Sequence, residues 1–180
     1  MLFRSAKLKQ SGFSALELHL TGFSLFDLKQ AGFSPRALLN IGYTAKQFRS
    51  VGYSAQELYL AGFDINALKF AGYKPKELRG LGLDIKEFYT AGYSAKEMRA
   101  SGFSAKELAP AYSCKELKKS GYDASALRDA GFSANELHEI GFSHRELHLA
   151  GFSAKEVSQL GYSIRQLRLI RYSAKELRVL

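Results

Sequence analysis

The fold is decided by a ten-residue stretch, Gly92-Tyr93-Ser94-Ala95-Lys96-Glu97-Met98-Arg99-Ala100-Ser101. Variants of this stretch fill the chain, because glycine recurs every ten residues from Gly12 to Gly102 and again from Gly121 to Gly161. Nearly every one of these glycines is followed by Phe or Tyr and then by Ser, Thr or Asp. A short, fixed period of this kind predicts a tandem-repeat protein, here with about eighteen units.

The order of residue types within the unit predicts one short helix per repeat. Ser94 has the side chain of a helix N-cap, and Glu97, three residues later, completes a capping box. Pro35 and Pro75 occupy the first helical position, where a missing N–H costs nothing. The glycine closes the helix in the left-handed conformation. We therefore expect helices of seven or eight residues joined by two-residue glycine-aromatic turns, and no strands.

Helices this short are not stable alone in water, so each must be held by its neighbours. The predicted fold is an all-α solenoid or superhelix of about eighteen short helices, forming one array over residues 1–180. Successive helices either pair as antiparallel hairpins with a twenty-residue layer or wind into a tight superhelix. Recurrence of Pro35 at Pro75 and of Phe48 at Phe88 favours a superhelix with four helices per turn. An ancient duplication of four units would leave the same recurrence.

The repeated pattern resembles the decapeptide short-helix tandem repeats, whose units read like AGFSAKELK. The resemblance covers essentially the whole chain, as in the copies at residues 101–109 and 150–158. It implies an α-solenoid-like scaffold. It implies no catalytic residues, so it assigns no site to this chain.

The unit at residues 107–113 departs from the pattern, because it lacks its glycine and is one residue short. Pro110 disfavours a helical conformation at Ala109, so we expect this helix to end early. A bend near residues 109–112 is the expected result, either as a tolerated deletion or as a curvature suited to a partner. At the last turn Arg171 replaces glycine, and we expect it to adopt the left-handed conformation.

Side chains with catalytic or metal-binding character have simpler interpretations. The Ser-Ala-Lys spacing of a Ser-Lys dyad recurs in many units, where each serine is explained as an N-cap. His144 and His148 share a helix face near His138, but substitution at surface positions explains these histidines better than metal binding. Cys114 stands where other units have a small alanine, which predicts a buried filler residue. We expect no catalysis, cofactor or metal.

Acidic and basic residues are distributed differently within the repeat. Of 17 acids, twelve take the capping-box position and three are N-caps. Bases fill the second helical position in eleven units and the fifth in nine, and these positions share a helix face. The net charge of +9 suggests either a solvated surface or a basic face for an acidic partner. The candidate partner-binding residues are Lys46, Arg49, Lys76, Arg79, Lys96, Arg99, Lys115, Lys118, Arg165 and Arg168.

The predicted function is a non-enzymatic structural or adaptor scaffold that binds an acidic protein surface within a larger assembly. The alternative is a module that binds the RNA backbone. Single-strand binders stack bases on exposed aromatics, whereas here nearly every aromatic is assigned to a hydrophobic staple. Tyr59 and Tyr89, at the usually basic fifth position, are exceptions. Neither end of the array has a distinct polar cap, so end-to-end self-association is also expected. One cysteine and the lack of a long apolar run predict an intracellular protein, cytoplasmic or organellar, without membrane insertion.

Overall fold

The computed structural model describes residues 2–178 and residue 180, which form eighteen α-helices and no strand. The chain divides into two compact units, Met1–Tyr93 and Ser94–Leu180. The helices of the first unit are α1 (Leu2–Gln10), α2 (Ala15–Leu20), α3 (Leu25–Gln30), α4 (Pro35–Leu38), α5 (Ala45–Ser50), α6 (Ala55–Ala61), α7 (Ile65–Phe70), α8 (Pro75–Leu78) and α9 (Ile85–Thr90). The helices of the second unit are α10 (Ala95–Ala100), α11 (Ala105–Leu108), α12 (Cys114–Lys119), α13 (Ala124–Asp129), α14 (Ala134–Glu139), α15 (His144–Leu149), α16 (Ala154–Ser158), α17 (Ile164–Leu169) and α18 (Ala174–Leu177).

From α2 onward, every helix except α8 begins after a Ser, Thr or Asp whose side chain accepts a backbone N–H, as the sequence predicts; Lys74, before α8, makes no such bond. At α10 the backbone N–H of Ser94 donates to the Glu97 carboxylate at 2.8 Å, and the Glu97 N–H donates to the serine hydroxyl at 3.3 Å. Gln47 replaces the acid at α5 and makes the same reciprocal pair with Thr44. These bonds satisfy N–H groups that the first turn leaves without intrahelical partners.

Most repeats end in a glycine turn, and the turn at Gly92 is of the Schellman type. Gly92 has φ +79°, its N–H donates to the Tyr89 carbonyl at 2.8 Å, and the Tyr93 N–H reaches back to Phe88 at 3.0 Å. Arg171 takes the same left-handed conformation, with φ +76°, which confirms the prediction for that position. Most helices have six residues, fewer than the predicted seven or eight, because the closing turn takes up the residues before the glycine.

The core consists of the first and fourth helical positions together with many of the turn aromatics, such as Tyr53 and Tyr73. The fourth-position side chains Leu58, Leu68 and Leu78 are completely buried, and a small buried residue such as Ala55 lets neighbouring helices approach closely. Within each unit a helix packs on the next helix and also on the second one after it, as for α4 on α6 and α11 on α13. The structural layer is therefore twenty residues long.

The prediction of four helices per turn is wrong for the packing of the described residues. The forty-residue recurrence is instead local, because Pro35 and Pro75 each begin a four-residue helix that continues as a 3-10 turn. Those turns are Leu39–Ile41 and Arg79–Leu81. The twenty-residue layer and the four-helix turn are compatible with the same local sequence, and the contacts between helices distinguish them.

The short repeat is accommodated without loss of pairing. Helix α11 ends at Leu108, as Pro110 predicts, and the Leu108 carbonyl accepts from the N–H groups of Ala111 and Tyr112 at 3.0 and 2.9 Å. The Tyr122 hydroxyl then bonds the Phe103 carbonyl across 19 residues, where complete repeats span 20. The turn therefore absorbs the missing residue. The bend near residues 109–112 stays a prediction.

No described helix has the length and apolar character that crossing a membrane requires.

Candidate partner-binding surface

The bases at the second helical position lie on the outer surface of the repeats. This position follows the buried first residue and precedes the capping-box acid, so its side chain points away from the core. All eleven are exposed. They are Arg36, Lys46, Lys76, Lys86, Lys96, Lys106, Lys115, Arg145, Lys155, Arg165 and Lys175.

The bases at the fifth position behave differently, as Arg49 shows. Its Nη1 donates to the Ala71 carbonyl at 2.9 Å, at the carboxyl end of α7. Its guanidinium carbon lies 4.7 Å from the centroid of the Tyr73 ring. A cation at this place is favourable because unsatisfied carbonyls give a helix end partial negative charge, and because an aromatic face attracts cations.

The same contact recurs along both units. The cation of each donor helix bonds a carbonyl at the end of the second helix along, and it lies over the aromatic side chain of the following turn. The donor and carbonyl pairs are Lys9 with Gly32, Lys29 with Val51, Lys69 with Gly92, Arg99 with Ser120, Lys118 with Ile140, and Arg128 with Ala150. The cation-to-ring distances range from 4.2 Å for Lys118 over Phe142 to 5.6 Å for Arg128 over Phe152.

Arg49, Arg99 and Lys118, three of the candidate partner-binding bases, are therefore engaged in bonds within the array. These three side chains hold one repeat to another, because the packing of helix n on helix n+2 brings the base to the carboxyl end of the second helix. The sequence does contain a signal for this contact. The residue whose carbonyl accepts the bond lies 21 or 22 residues after the base and two residues before the stacked aromatic. The spacing is recognisable only once the twenty-residue layer is known. Arg168 is exposed.

Acidic side chains accompany the second-position bases on the same surface. Each capping-box carboxylate directly follows such a base in the typical unit, as Glu116 follows Lys115. Hydrogen bonds from the Ser113 side chain and backbone hold the pKa of Glu116 below its ordinary value of 4.5, so the carboxylate is ionised at neutral pH. Arg49 also approaches the capping-box carboxylate of Glu77 at 3.7 Å. The outer surface therefore carries both signs of charge rather than a continuous basic stripe.

His138 and His148 take the fifth position, His144 takes the first position of α15, and all three rings pack on tyrosines. His138 and His144 lie 5.8 Å apart between ring centroids, and His144 lies 3.8 Å from the Tyr162 ring. His148 lies 4.2 Å from the ring of Tyr172. Within residues 2–178 and 180, no group of three or more His, Cys, Asp or Glu side chains is arranged to hold a metal ion. His138 and His148 thus pack on turn tyrosines from the position that lysine or arginine holds in other repeats.

Cys114 and the cap serines have the structural roles that the sequence predicts. The thiol is buried against the core, and burial raises its pKa to about 11, which disfavours the reactive thiolate. The hydroxyls of Ser94, Ser104 and Ser153 each accept a hydrogen bond from the N–H three residues later. Each of these hydroxyls is therefore engaged as an N-cap.

The turn aromatics of the first unit form a hydrogen-bonded column. The Tyr53 hydroxyl donates to the Phe33 carbonyl at 2.5 Å, the Tyr73 hydroxyl donates to Tyr53, and the Tyr93 hydroxyl donates to Tyr73 at 2.7 Å. Outside the turns, Tyr59 is half-buried and Tyr89 is 46% exposed. Sequence reasoning missed Phe70, which is 87% exposed at a sixth helical position.

The family model described as Decapeptide repeat region matches residues 3–75, 42–112 and 111–174. These overlapping matches together span nearly the whole chain. No curated protein and no solved structure matches this chain.

Proposed function

We propose, from the premise that this chain belongs to the decapeptide repeat family, that it is a non-enzymatic adaptor scaffold binding an acidic protein surface within a larger assembly. As a tandem array of short helices it is a structural repeat protein. Repeat arrays of this kind present one extended surface made of equivalent positions from successive units.

The observation that carries the proposal is the difference between the two sets of bases. Fifth-position bases such as Arg99 and Lys118 are held on carbonyl groups of neighbouring repeats. Second-position bases such as Lys96 and Lys115 project into solvent, on helices α10 and α12 that pack together. We therefore assign partner binding to the second-position bases. Among the candidates from the sequence these are Lys46, Lys76, Lys96, Lys115 and Arg165.

A protein partner is favoured over the RNA backbone by two features. Eight of the eleven second-position bases stand beside a capping-box glutamate, and this mixture suits a partner surface of mixed charge. In addition, several turn aromatics, such as Tyr73 and Tyr122, lie beneath a cation and do not offer a free face for stacking bases. RNA-backbone binding is the second candidate, and it would use the same second-position bases.

The experiment reverses the charge of three second-position bases in the compact unit Ser94–Leu180. We expect the K96E/K106E/K115E variant to lose the proteins that the parent recovers by affinity purification and mass spectrometry, while its helical circular dichroism is unchanged. The matched control is S125E/N135E, which places acids at exposed second positions without removing bases. This control should retain the partners.

Two outcomes would redirect or overturn the proposal. An isolated partner that binds the charge-reversed variant as tightly as the parent would show that these bases are only solvated. An RNA partner would instead show a linear fall of log affinity with log salt, with a slope of roughly 0.7 for each phosphate neutralised on a single strand.

A further inference from the structure

One face of the second unit combines exposed arginines with exposed leucines. The second and sixth helical positions are four residues apart and so lie on the same outer face of a helix. In several repeats this face is polar, as with Lys46 and Ser50 of α5. In α14 the two positions are joined by a hydrogen bond between Asn135 and Glu139 at 2.7 Å.

Helices α15 and α17 differ from this pattern in the same way. Helix α15 has Arg145 and Leu149 at these positions, and α17 has Arg165 and Leu169. Leu149 is 73% exposed and Leu169 is 82% exposed. Within each compact unit we compared every helix with the second helix after it. Among the described residues, α15 and α17 are the only such pair in which both helices expose a large apolar side chain at the sixth position.

Contacts join the carboxyl ends of α15 and α17, the helix ends at which Leu149 and Leu169 lie. The Tyr172 hydroxyl, just after α17, donates to the Phe152 carbonyl, just after α15, at 2.7 Å. The His148 ring, next to Leu149, packs 4.2 Å from the Tyr172 ring. We call Arg145, Leu149, Arg165 and Leu169 the Arg-Leu face.

We propose that the Arg-Leu face binds the surface of an anionic lipid bilayer. The leucines project outward, and neither lines the groove of about 670 Å³ beside α17 and α18, whose walls include Arg168, Tyr172 and Leu177. Projecting apolar side chains suit a deformable apolar phase, which needs no complementary cavity. Guanidinium groups bind phosphate oxygens in a bidentate manner, so the two arginines match lipid headgroups.

The outward projection of the two leucines favours a lipid surface over an acidic peptide. Side chains of this kind at an interface enter the boundary between headgroups and acyl chains, where apolar burial and attraction to anionic lipids add together. An acidic peptide would match the arginines but would need to supply a concave apolar surface for both leucines. The inference does not depend on the proposed protein-binding role of the second-position bases.

The test is co-sedimentation of the full chain with extruded vesicles at physiological salt. One set contains phosphatidylcholine alone and the other contains about one third phosphatidylserine. We expect the parent to bind the anionic vesicles and not the neutral ones. The L149S/L169S variant should lose about tenfold in partition coefficient, and R145Q/R165Q should lose a similar factor.

Matched controls separate this face from general basicity and general exposure of apolar groups. Leu60 and Phe70 are exposed sixth-position residues whose helices have Gln56 and Asn66 at the second position, so L60S/F70S should bind like the parent. K46Q/K86Q removes two exposed bases elsewhere and should also have little effect. All substituted side chains are exposed, and circular dichroism checks that every variant is folded.

The proposal is overturned if the parent ignores anionic vesicles, if L149S/L169S binds them as well as the parent, or if L60S/F70S loses as much. Binding to soluble polyglutamate with the same dependence on Leu149 and Leu169, together with no vesicle binding, would assign the face to an acidic protein partner instead.

Discussion

Arg49 caps the end of a helix that begins sixteen residues after it, donating from Nη1 to the carbonyl of Ala71 at 2.9 Å. This bond joins α5 to α7, and equivalents in other repeats use lysine as well as arginine. The contact explains why so many bases share the fifth position. They bind carbonyls at helix ends, where the helix dipole places partial negative charge.

Removing this cap should destabilise the protein. Arg49→Ala should lower the free energy of unfolding by about 1 to 2 kcal/mol, because a charge-assisted hydrogen bond and a cation-π contact are both lost. Arg49→Lys should be nearly neutral, since Lys29 makes the same contact with Val51 at 2.8 Å. Chemical denaturation of the two variants, beside Lys46→Ala as a surface control, measures the difference. Equal effects of Arg49→Ala and Lys46→Ala would contradict the assigned role.

Two closing glycines with nearly equal φ angles differ in what surrounds them. Gly82 has φ +75° and open space where a side chain would begin, whereas a Cβ at Gly92, with φ +79°, would lie 2.9 Å from Lys69 Nζ. Gly82→Ala should cost about 1 to 2 kcal/mol through the left-handed conformation alone. Gly92→Ala should cost about 0.5 to 1 kcal/mol more, because Lys69 must leave its carbonyl. Thermal unfolding of the pair tests this order, and a larger loss at Gly82 would refute it.

The buried tyrosine column should make stability depend on alkaline pH. Burial raises the pKa of Tyr73 from 10.0 to about 12, so the folded protein retains a proton that the unfolded chain loses. The stability from this group is complete below pH 10 and falls as the pH rises toward 12. Tyr73→Phe should cost about 1 kcal/mol at neutral pH and reduce the loss of stability at alkaline pH. Phe33 and Phe152 hold equivalent turn positions, so the ring itself fits.

The capping boxes should make the protein sensitive to acid. Hydrogen bonds from Ser113, Ser133 and Ser153 hold the pKa values of Glu116, Glu136 and Glu156 below 4.5. Because the unfolded chain binds protons at higher pH than the folded one, this stability is present above pH 4.5 and is lost as the pH falls further.

The check is a series of melting temperatures measured down through pH 4.5. Glu116→Gln should retain the box, as Gln47 does with the Thr44 N–H at 2.9 Å, and should make the acid-induced decrease smaller. A variant whose melting temperature falls as steeply as that of the parent would show that other groups cause the acid sensitivity.

The sequence alone determined where most helices begin and which residues close their turns. The cap serine, its acid partner and the closing glycine lie within one repeat, and their hydrogen bonds span at most five residues. Such contacts form whenever the local residue types are right, whatever the rest of the chain does. The early end of α11 before Pro110 and the left-handed Arg171 were predictable for the same reason.

Only the tertiary structure decided how the repeats pair and which bases are committed to that pairing. Lys46 and Arg49 are both surface bases in the sequence, three residues apart on one helix. Because α5 packs on α7, Arg49 donates to a carbonyl 22 residues away, whereas Lys46 stays exposed to solvent. The local pattern fits either a twenty- or a forty-residue layer, because capping hydrogen bonds are the same in both. The choice depends on how side chains of one helix fit against another, and that fit involves residues that are distant in sequence.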